Sequence, residues 1–130
     1  MIKVLFICVE NSNRSQMAEA FAKIHGGDMV EAHSAGSKPS GIVNSKAIKA
    51  MDELGYDLTS HKSISASEFS DTKMDYVVGM GCGDECPFVP AKNRIEWTIS
   101  DPRNIEGEAF NQIRDEVEKE VIGLLKVLPV

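Results

Sequence analysis

The feature that most constrains the fold is an apolar run from Ile2 to Val9, which only Lys3 interrupts and which carries Cys8 near its end. The run is rich in Ile, Val, Leu and Phe, a composition that favours a fully buried strand over residues 2–8. A membrane-spanning helix takes about 20 apolar residues, so this run is too short to be one. It begins at residue 2 and lacks a cleavage-site pattern, so we interpret it as a strand and not as a signal peptide.

Strand and helix patterns alternate along the rest of the chain. Further strands are predicted over residues 30–35, 74–80 and 94–99, and helices over residues 15–26, 45–54 and 108–128. This alternation predicts an α/β fold, with a parallel sheet and helices on both of its faces. We expect a single domain over residues 1–130. Ligands of such sheets bind beyond the carboxyl ends of the strands, where Cys8, Cys82 and Asp101 are expected.

Composition excludes several classes of function. The net charge of −6 and the pI near 5.0 argue against a nucleic-acid or anionic-membrane partner, which would need a basic surface. Three cysteines without an export signal indicate a reducing compartment, and we expect a cytoplasmic protein whose thiols serve chemistry or packing.

The loop after the first predicted strand has the pattern Cys-x5-Arg, and its residues between the two ends are Val9, Glu10, Asn11, Ser12 and Asn13. Backbone N–H groups of such a turn, together with a helix N-terminus, suit a tetrahedral oxyanion. Arg14 adds a forked guanidinium that binds two oxygens, and Ser15 can donate a hydrogen bond to a Cys8 thiolate. Asn11 tolerates a left-handed conformation. The loop therefore predicts an oxyanion site with Cys8 as nucleophile, although the Glu10 carboxylate opposes an anion unless it points outward.

Two more cysteines, Cys82 and Cys86, lie in a glycine- and proline-rich loop after the strand predicted at 74–80. Thiols four residues apart can form a disulfide if the loop turns. The alternatives are a zinc half-site and two incidental thiols. Because His25, His33 and His61 show no metal-ligand spacing, we predict no metal and favour a redox pair.

The stretch CVENSNRSQMAEAF resembles the active-site loop and first helix of the low-molecular-weight protein tyrosine phosphatase superfamily. Within that superfamily, the pattern NSxRSQMAEA resembles the thiol-coupled arsenate reductases. The resemblance extends along essentially the whole chain and implies a four-stranded parallel sheet flanked by helices. It also implies that Asp101, which precedes Pro102, is a general acid, whereas a turn-forming Asp-Pro pair is the alternative.

The resemblance to the reductases implies a relay of thiols. Cys8 would attack arsenate, Cys82 would then attack Cys8 and release arsenite, and Cys86 would finally take over the disulfide. Thioredoxin or a glutaredoxin-like donor would reduce the resulting Cys82–Cys86 bond. The third cysteine usually lies further from the second in thioredoxin-coupled members, so the close spacing here leaves the donor open.

A phosphatase is the alternative function, acting through a Cys8 phosphocysteine with Asp101 as acid. Arg103 and Asn104 stand where the phosphatases typically have aromatic residues, which favours a small inorganic substrate. A phosphocysteine carrier of sugar uptake is a third class, and Arg14 argues against it. We expect no resident cofactor. Some reductases of the family bind potassium, and Asn11, Glu19 and Ser34 match that site, but the expected carboxylate is missing from residues 61–65.

Overall fold

The structure is a computed structural model that describes residues 1–80, 89–100, 102 and 104–128. Its strands are β1 (Ile2–Cys8), β2 (Val30–Gly36), β3 (Met74–Gly79) and β4 (Ala91–Glu96), and its α-helices are α1 (Arg14–Gly26), α2 (Ser45–Asp52) and α3 (Glu108–Val127). Three short 3-10 helices connect them, at Gly27–Met29, Leu58–Ser60 and Ala66–Phe69. No helix in these ranges is both long enough and apolar enough to cross a membrane.

The strands form one parallel sheet in the order β2-β1-β3-β4. The central position of β1 explains why its sequence is apolar apart from Lys3, because a central strand is buried on both faces. The prediction of a four-stranded parallel α/β sheet is therefore confirmed.

The alternation of side chains along β1 divides the core into two layers. Val4, Phe6 and Cys8 pack into a cluster that includes residues of all three α-helices. Leu5 and Ile7 point the other way, into a smaller cluster that includes Ala66 of a 3-10 helix. Among the described residues, the α-helices thus cover one face and a 3-10 helix contributes to the cover of the other.

Most predicted boundaries are confirmed to within one or two residues. Helix α2 begins after Asn44, whose side chain accepts a hydrogen bond from the Lys46 backbone N–H, and it ends at Asp52, two residues before the predicted end. The apolar stripe predicted for α3 is buried, at Phe110, Ile113, Val117, Val121, Leu124 and Leu128. On α1, by contrast, Ile24 of the predicted stripe is 44% exposed.

The last strand is displaced from its predicted position. It was expected at 94–99 and lies at Ala91–Glu96, because Met74 of β3 pairs with Ala91. As an edge strand it exposes polar side chains such as Lys92 and Asn93, which a search for apolar runs passes over. Trp97 lies just after the strand and packs against Phe6, with 5.8 Å between the two ring centroids.

Helix α3 offers a matched test of this packing. Val117 is fully buried and Val127 is 70% exposed on the same helix. We expect Val117→Ala to lower the free energy of unfolding by about 2 kcal/mol, through lost burial and a small cavity. The control Val127→Ala should change it by less than about 0.5 kcal/mol. Urea denaturation measures both, and equal effects would show that α3 does not dock as described.

Candidate active site

The junction between β1 and α1 contains an unusual concentration of buried polar side chains. Six consecutive residues, from Asn11 to Gln16, are polar and buried. Cys8 is also buried, at the carboxyl end of β1. The loop encloses a small cavity lined by Cys8, Val9, Glu10, Ser12, Asn13 and Arg14. Burying a polar group is unfavourable unless hydrogen bonds replace those it made to water. The hydrogen-bond partners of this loop therefore indicate its function.

The carbonyl groups of the loop all bond to partners outside the cavity. Backbone N–H groups of the neighbouring segment 37–44 donate to the carbonyls of residues 8, 9, 10 and 12, over 2.8 to 3.1 Å. The Gln16 side chain donates to the fifth, the carbonyl of Asn11, over 3.0 Å. A planar trans peptide directs its N–H opposite to its C=O. The N–H groups of residues 9–13 therefore point away from these partners, and four of these five residues, Val9, Glu10, Ser12 and Asn13, line the cavity. Backbone N–H groups in such a turn suit an oxyanion.

Asn11 gives the loop its sharp bend. Among the described residues it is the one non-glycine residue with a positive φ, at 50°. Its Oδ1 accepts a hydrogen bond from the Ile64 N–H over 3.0 Å, which fixes the orientation of the amide. Its Nδ2 then donates to Ser15 Oγ over 2.8 Å. The left-handed conformation is the one that the sequence suggested for an asparagine here.

Ser15 links this amide to Cys8, the predicted nucleophile. Its Oγ lies 2.8 Å from Cys8 Sγ. Because Asn11 already donates to this oxygen, the hydroxyl proton is free to point at the sulfur. The arrangement stabilises an ionised thiolate at Cys8, which is the reactive form of a cysteine.

Arg14 is placed by a contact that the sequence did not indicate. Its Nη1 donates to the Ile99 carbonyl over 3.0 Å, so the segment after β4 holds the guanidinium beside the cavity. The structure thus brings together the predicted Cys8, Arg14, Ser15 and the loop 9–13. Cys82, Cys86 and Asp101 lie outside the described residues, and their roles stay predictions.

Two further residues support the loop and were missed by sequence analysis. Gln16 donates through Nε2 to the carbonyls of Asn11 and Lys62, so its Oε1 faces His61 Nδ1, 2.9 Å away, as an acceptor. His61 therefore carries its proton on Nδ1, and its Nε2 accepts from the Tyr56 hydroxyl over 2.6 Å. Because these partners are distant in sequence, no local pattern could have identified them.

Burial keeps the side chains of His61 and Tyr56 neutral. Removal from water lowers the pKa of His61 from its usual value of 6.5, against the opposing effect of the Glu19 carboxylate. Burial likewise raises the pKa of Tyr56. A neutral imidazole matches the hydrogen bonds it makes, since both ring nitrogens then have the partner they need.

Glu19 is partly buried on α1, where its carboxylate has several partners. It accepts a 2.6 Å hydrogen bond from the Ser34 hydroxyl, pairs with Lys23, and lies 3.7 Å from His61. Of the three residues that match the potassium site, Glu19 and Ser34 are in contact, while the side-chain Oδ1 of Asn11 accepts a hydrogen bond from the Ile64 N–H. Within the described ranges, no group of three or more His, Cys, Asp or Glu side chains could hold a metal ion.

A parallel α/β sheet in which a buried cysteine ends the first strand and a loop leads from it to a helix N-terminus is the arrangement expected of an enzyme that handles phosphate-like oxyanions. Residues 3–129 match the sequence profile of the low molecular weight phosphotyrosine protein phosphatases, and the chain belongs to that family.

Relatives within the family are named arsenate reductases. The chain is 38% identical over 128 residues to the arsenate reductase of Halalkalibacterium halodurans, covering 91% of each protein. It is 41% identical over 118 residues to arsenate reductase 1 of Bacillus cereus, covering 88% of this chain and 87% of the other.

Solved structures agree with these relatives. An arsenate reductase in its oxidized state superposes with a TM-score of 0.87 at 33% identity, covering 97% of this chain and 98% of the other. The thioredoxin-dependent arsenate reductase of Corynebacterium glutamicum superposes with a TM-score of 0.82 at 32% identity, covering 97% of this chain and 61% of that one.

The contact between Ser15 and Cys8 is testable by reactivity. We expect Ser15→Ala to slow alkylation of Cys8 by iodoacetamide at pH 7 by about fivefold to tenfold, because a hydrogen bond to an ionised group is lost. Mass spectrometry of the Cys8 peptide follows the rate. The control Ser67→Ala changes a hydroxyl away from the cavity and should leave the rate unaltered. An unaltered rate in Ser15→Ala would mean that the hydroxyl does not serve the sulfur.

The neutral state of His61 predicts a pH dependence of stability. Its pKa is lower in the folded chain, so the unfolded chain binds more protons as the pH falls below about 6.5. The stability that the neutral His61 contributes is fully present above pH 6.5. It is lost as the pH falls from there through the lowered pKa of the folded chain. The free energy of unfolding should therefore decline between pH 7 and 5.5, above the range in which ordinary carboxylates titrate.

Urea titrations of His61→Gln should show a smaller decline over that range than the unmodified protein. The matched control is His25→Gln, which removes a partly exposed ring on α1 and should keep the decline. A decline of the same size in all three proteins would contradict a neutral buried His61.

Proposed function

We propose that this chain reduces arsenate to arsenite, with Cys8 as the nucleophile. The observation that carries the proposal is the Cys8 sulfur, which receives the Ser15 hydrogen bond at the edge of a cavity surrounded by N–H donors. The names of relatives that match about nine-tenths of the chain support arsenate as the substrate.

The first step uses groups of the described loop. The Cys8 thiolate attacks the arsenic of a bound arsenate, a sulfur–arsenic bond forms, and one arsenate oxygen leaves as water. Arg14 and the loop N–H groups stabilise the negative charge on the remaining oxygens. Asp101, by its resemblance to the family acid, supplies the proton for the leaving oxygen.

The second step transfers electrons from sulfur to arsenic. Cys82 attacks the Cys8 sulfur, a disulfide forms, and the electron pair of the broken sulfur–arsenic bond reduces arsenic from the +5 to the +3 state. Arsenite then leaves. Cys86 attacks Cys82, which frees Cys8 and leaves a Cys82–Cys86 disulfide. These roles of Cys82 and Cys86 rest on the family resemblance.

An external dithiol completes the cycle. A thioredoxin is the proposed donor, because a structurally similar enzyme is named thioredoxin-dependent. A glutaredoxin-like donor is the alternative, and steady-state assays with each donor separate them. The relay needs no resident cofactor, since thiols supply both electrons, and it fits a cytoplasmic location, where thiols stay reduced.

The decisive measurement uses fully reduced protein and arsenate, with no other reductant. We expect about one arsenite per chain together with a Cys82–Cys86 disulfide, because three thiols supply one pair of electrons. Mass spectrometry maps the disulfide. Cys8→Ser and Cys82→Ser should each abolish the release of arsenite.

The family model also favours a second activity, hydrolysis of phosphate esters through the same loop. Cys82→Ser should leave any hydrolysis of an aryl phosphate unchanged, whereas Cys8→Ser should remove it. Three free thiols and no arsenite after incubation would contradict the reductase and favour the phosphatase.

A further inference from the structure

Asn13 is a loop residue whose side chain the mechanism above does not use. It is only 6% exposed, and its Oδ1 is buried without a hydrogen-bond partner in the part of the chain that the structure describes. An unpaired buried acceptor destabilises a fold, because the group has lost its hydrogen bonds to water without replacing them. Such a group in a cavity wall suggests a ligand that supplies the missing donor.

The position of Asn13 makes this lack of a partner more informative. Asn13 immediately precedes α1, where an asparagine side chain normally accepts a hydrogen bond from a helix N–H. Here its side chain makes no capping bond, and its backbone has φ −127° and ψ −85°. Asn44 occupies the same position before α2 and does cap its helix. The usual structural role of the residue therefore does not explain Asn13.

Two nearby polar side chains are engaged in other ways. The amide of Asn11 is bonded at both of its ends, to Ile64 and Ser15. Ser15 in turn serves Cys8. Asn13 lines the cavity with Cys8 and Arg14, and no group of the described residues bonds to its Oδ1.

We propose that the Asn13 carbonyl oxygen accepts a hydrogen bond from a protonated oxygen of the bound anion, and so selects hydrogen arsenate and hydrogen phosphate over sulfate. The inference rests on the proposed function, because it concerns the oxyanion that this loop binds. It makes Asn13 a residue that determines specificity.

The chemistry of the three anions explains the selection. All are tetrahedral, but at neutral pH arsenate and phosphate keep at least one proton, whereas sulfate keeps none. N–H donors and a guanidinium attract any of them. An acceptor oxygen stabilises the anion that carries an O–H group and repels the lone pairs of one that does not. Sites built to bond a substrate hydroxyl reject analogues that lack it.

Protection of Cys8 from alkylation tests the proposal directly. Reduced protein is treated with iodoacetamide at pH 7 and constant ionic strength, with increasing inorganic phosphate or sulfate, and the Cys8 peptide is quantified. The readout is the ratio of the half-protecting sulfate concentration to the half-protecting phosphate concentration. We expect Asn13→Ala to lower this ratio by about tenfold, the effect of one buried hydrogen bond to an ion.

Asn93→Ala is the control, because it removes an exposed asparagine on β4 that has no part in the loop, and it should leave the ratio unchanged. Should Asn13→Ala fail to fold, Asn13→Ser provides a second test. Its hydroxyl donates as readily as it accepts, so it should also lower the ratio.

Two results would overturn the proposal. Equal weakening of the binding of both anions would mean that the amide acts by packing, and a ratio that rises would mean that it acts as a donor. The assay involves no arsenate turnover. A changed ratio without arsenite formation would refute the proposed function alone, and an unchanged ratio with normal arsenite formation would refute only the role of Asn13.

Discussion

The candidate site depends on the hydrogen bonds that hold the loop carbonyls outward. Four come from the backbone of segment 37–44 and one from Gln16. Without them, the carbonyl dipoles of residues 8–12 could turn inward and repel an anion. Because the N–H and C=O groups of a planar trans peptide point in opposite directions, carbonyls that point outward leave N–H groups that point inward. The chemistry proposed for Cys8 therefore depends on hydrogen bonds from a segment that does not itself line the cavity.

The sheet explains why that segment lies where it does. In the parallel register, Cys8 pairs with Gly36, so both strands end at the same level and their following loops run side by side. The contact is close: a Cβ on Gly36 would lie 2.6 Å from the Val9 carbonyl oxygen. Only glycine fits here without moving the loop. The register of β1 and β2 and the small size of Gly36 together position the donors.

Features that depend on residues close together in the sequence could be predicted, and those that depend on distant residues could not. Residues 8–15 form a local motif, so Cys8, Asn11 and Ser15 could be placed from their spacing alone. The Ile99 carbonyl that holds Arg14, and His61 that holds Gln16, come from distant parts of the chain and have no local signature. The same limit applies to β4, whose pairing with β3 set its start at Ala91 against the apolar pattern. For Cys82, Cys86 and Asp101 the sequence and the family resemblance remain the basis.

An acidic protein that binds an anion needs attraction at short range. Residues 1–65 contain seven Lys and Arg and seven Asp and Glu side chains, so the whole net charge of −6 arises from residues 66–130. Much of that charge is exposed on α3, at Asp115, Glu116 and Glu120. Salt screens such exposed charges over about 8 Å at physiological ionic strength, whereas a donor in direct contact with the anion is hardly screened. Nearly all described partners of the loop lie within residues 1–65, so a set of N–H groups and one guanidinium can hold an anion despite the charge of the molecule as a whole.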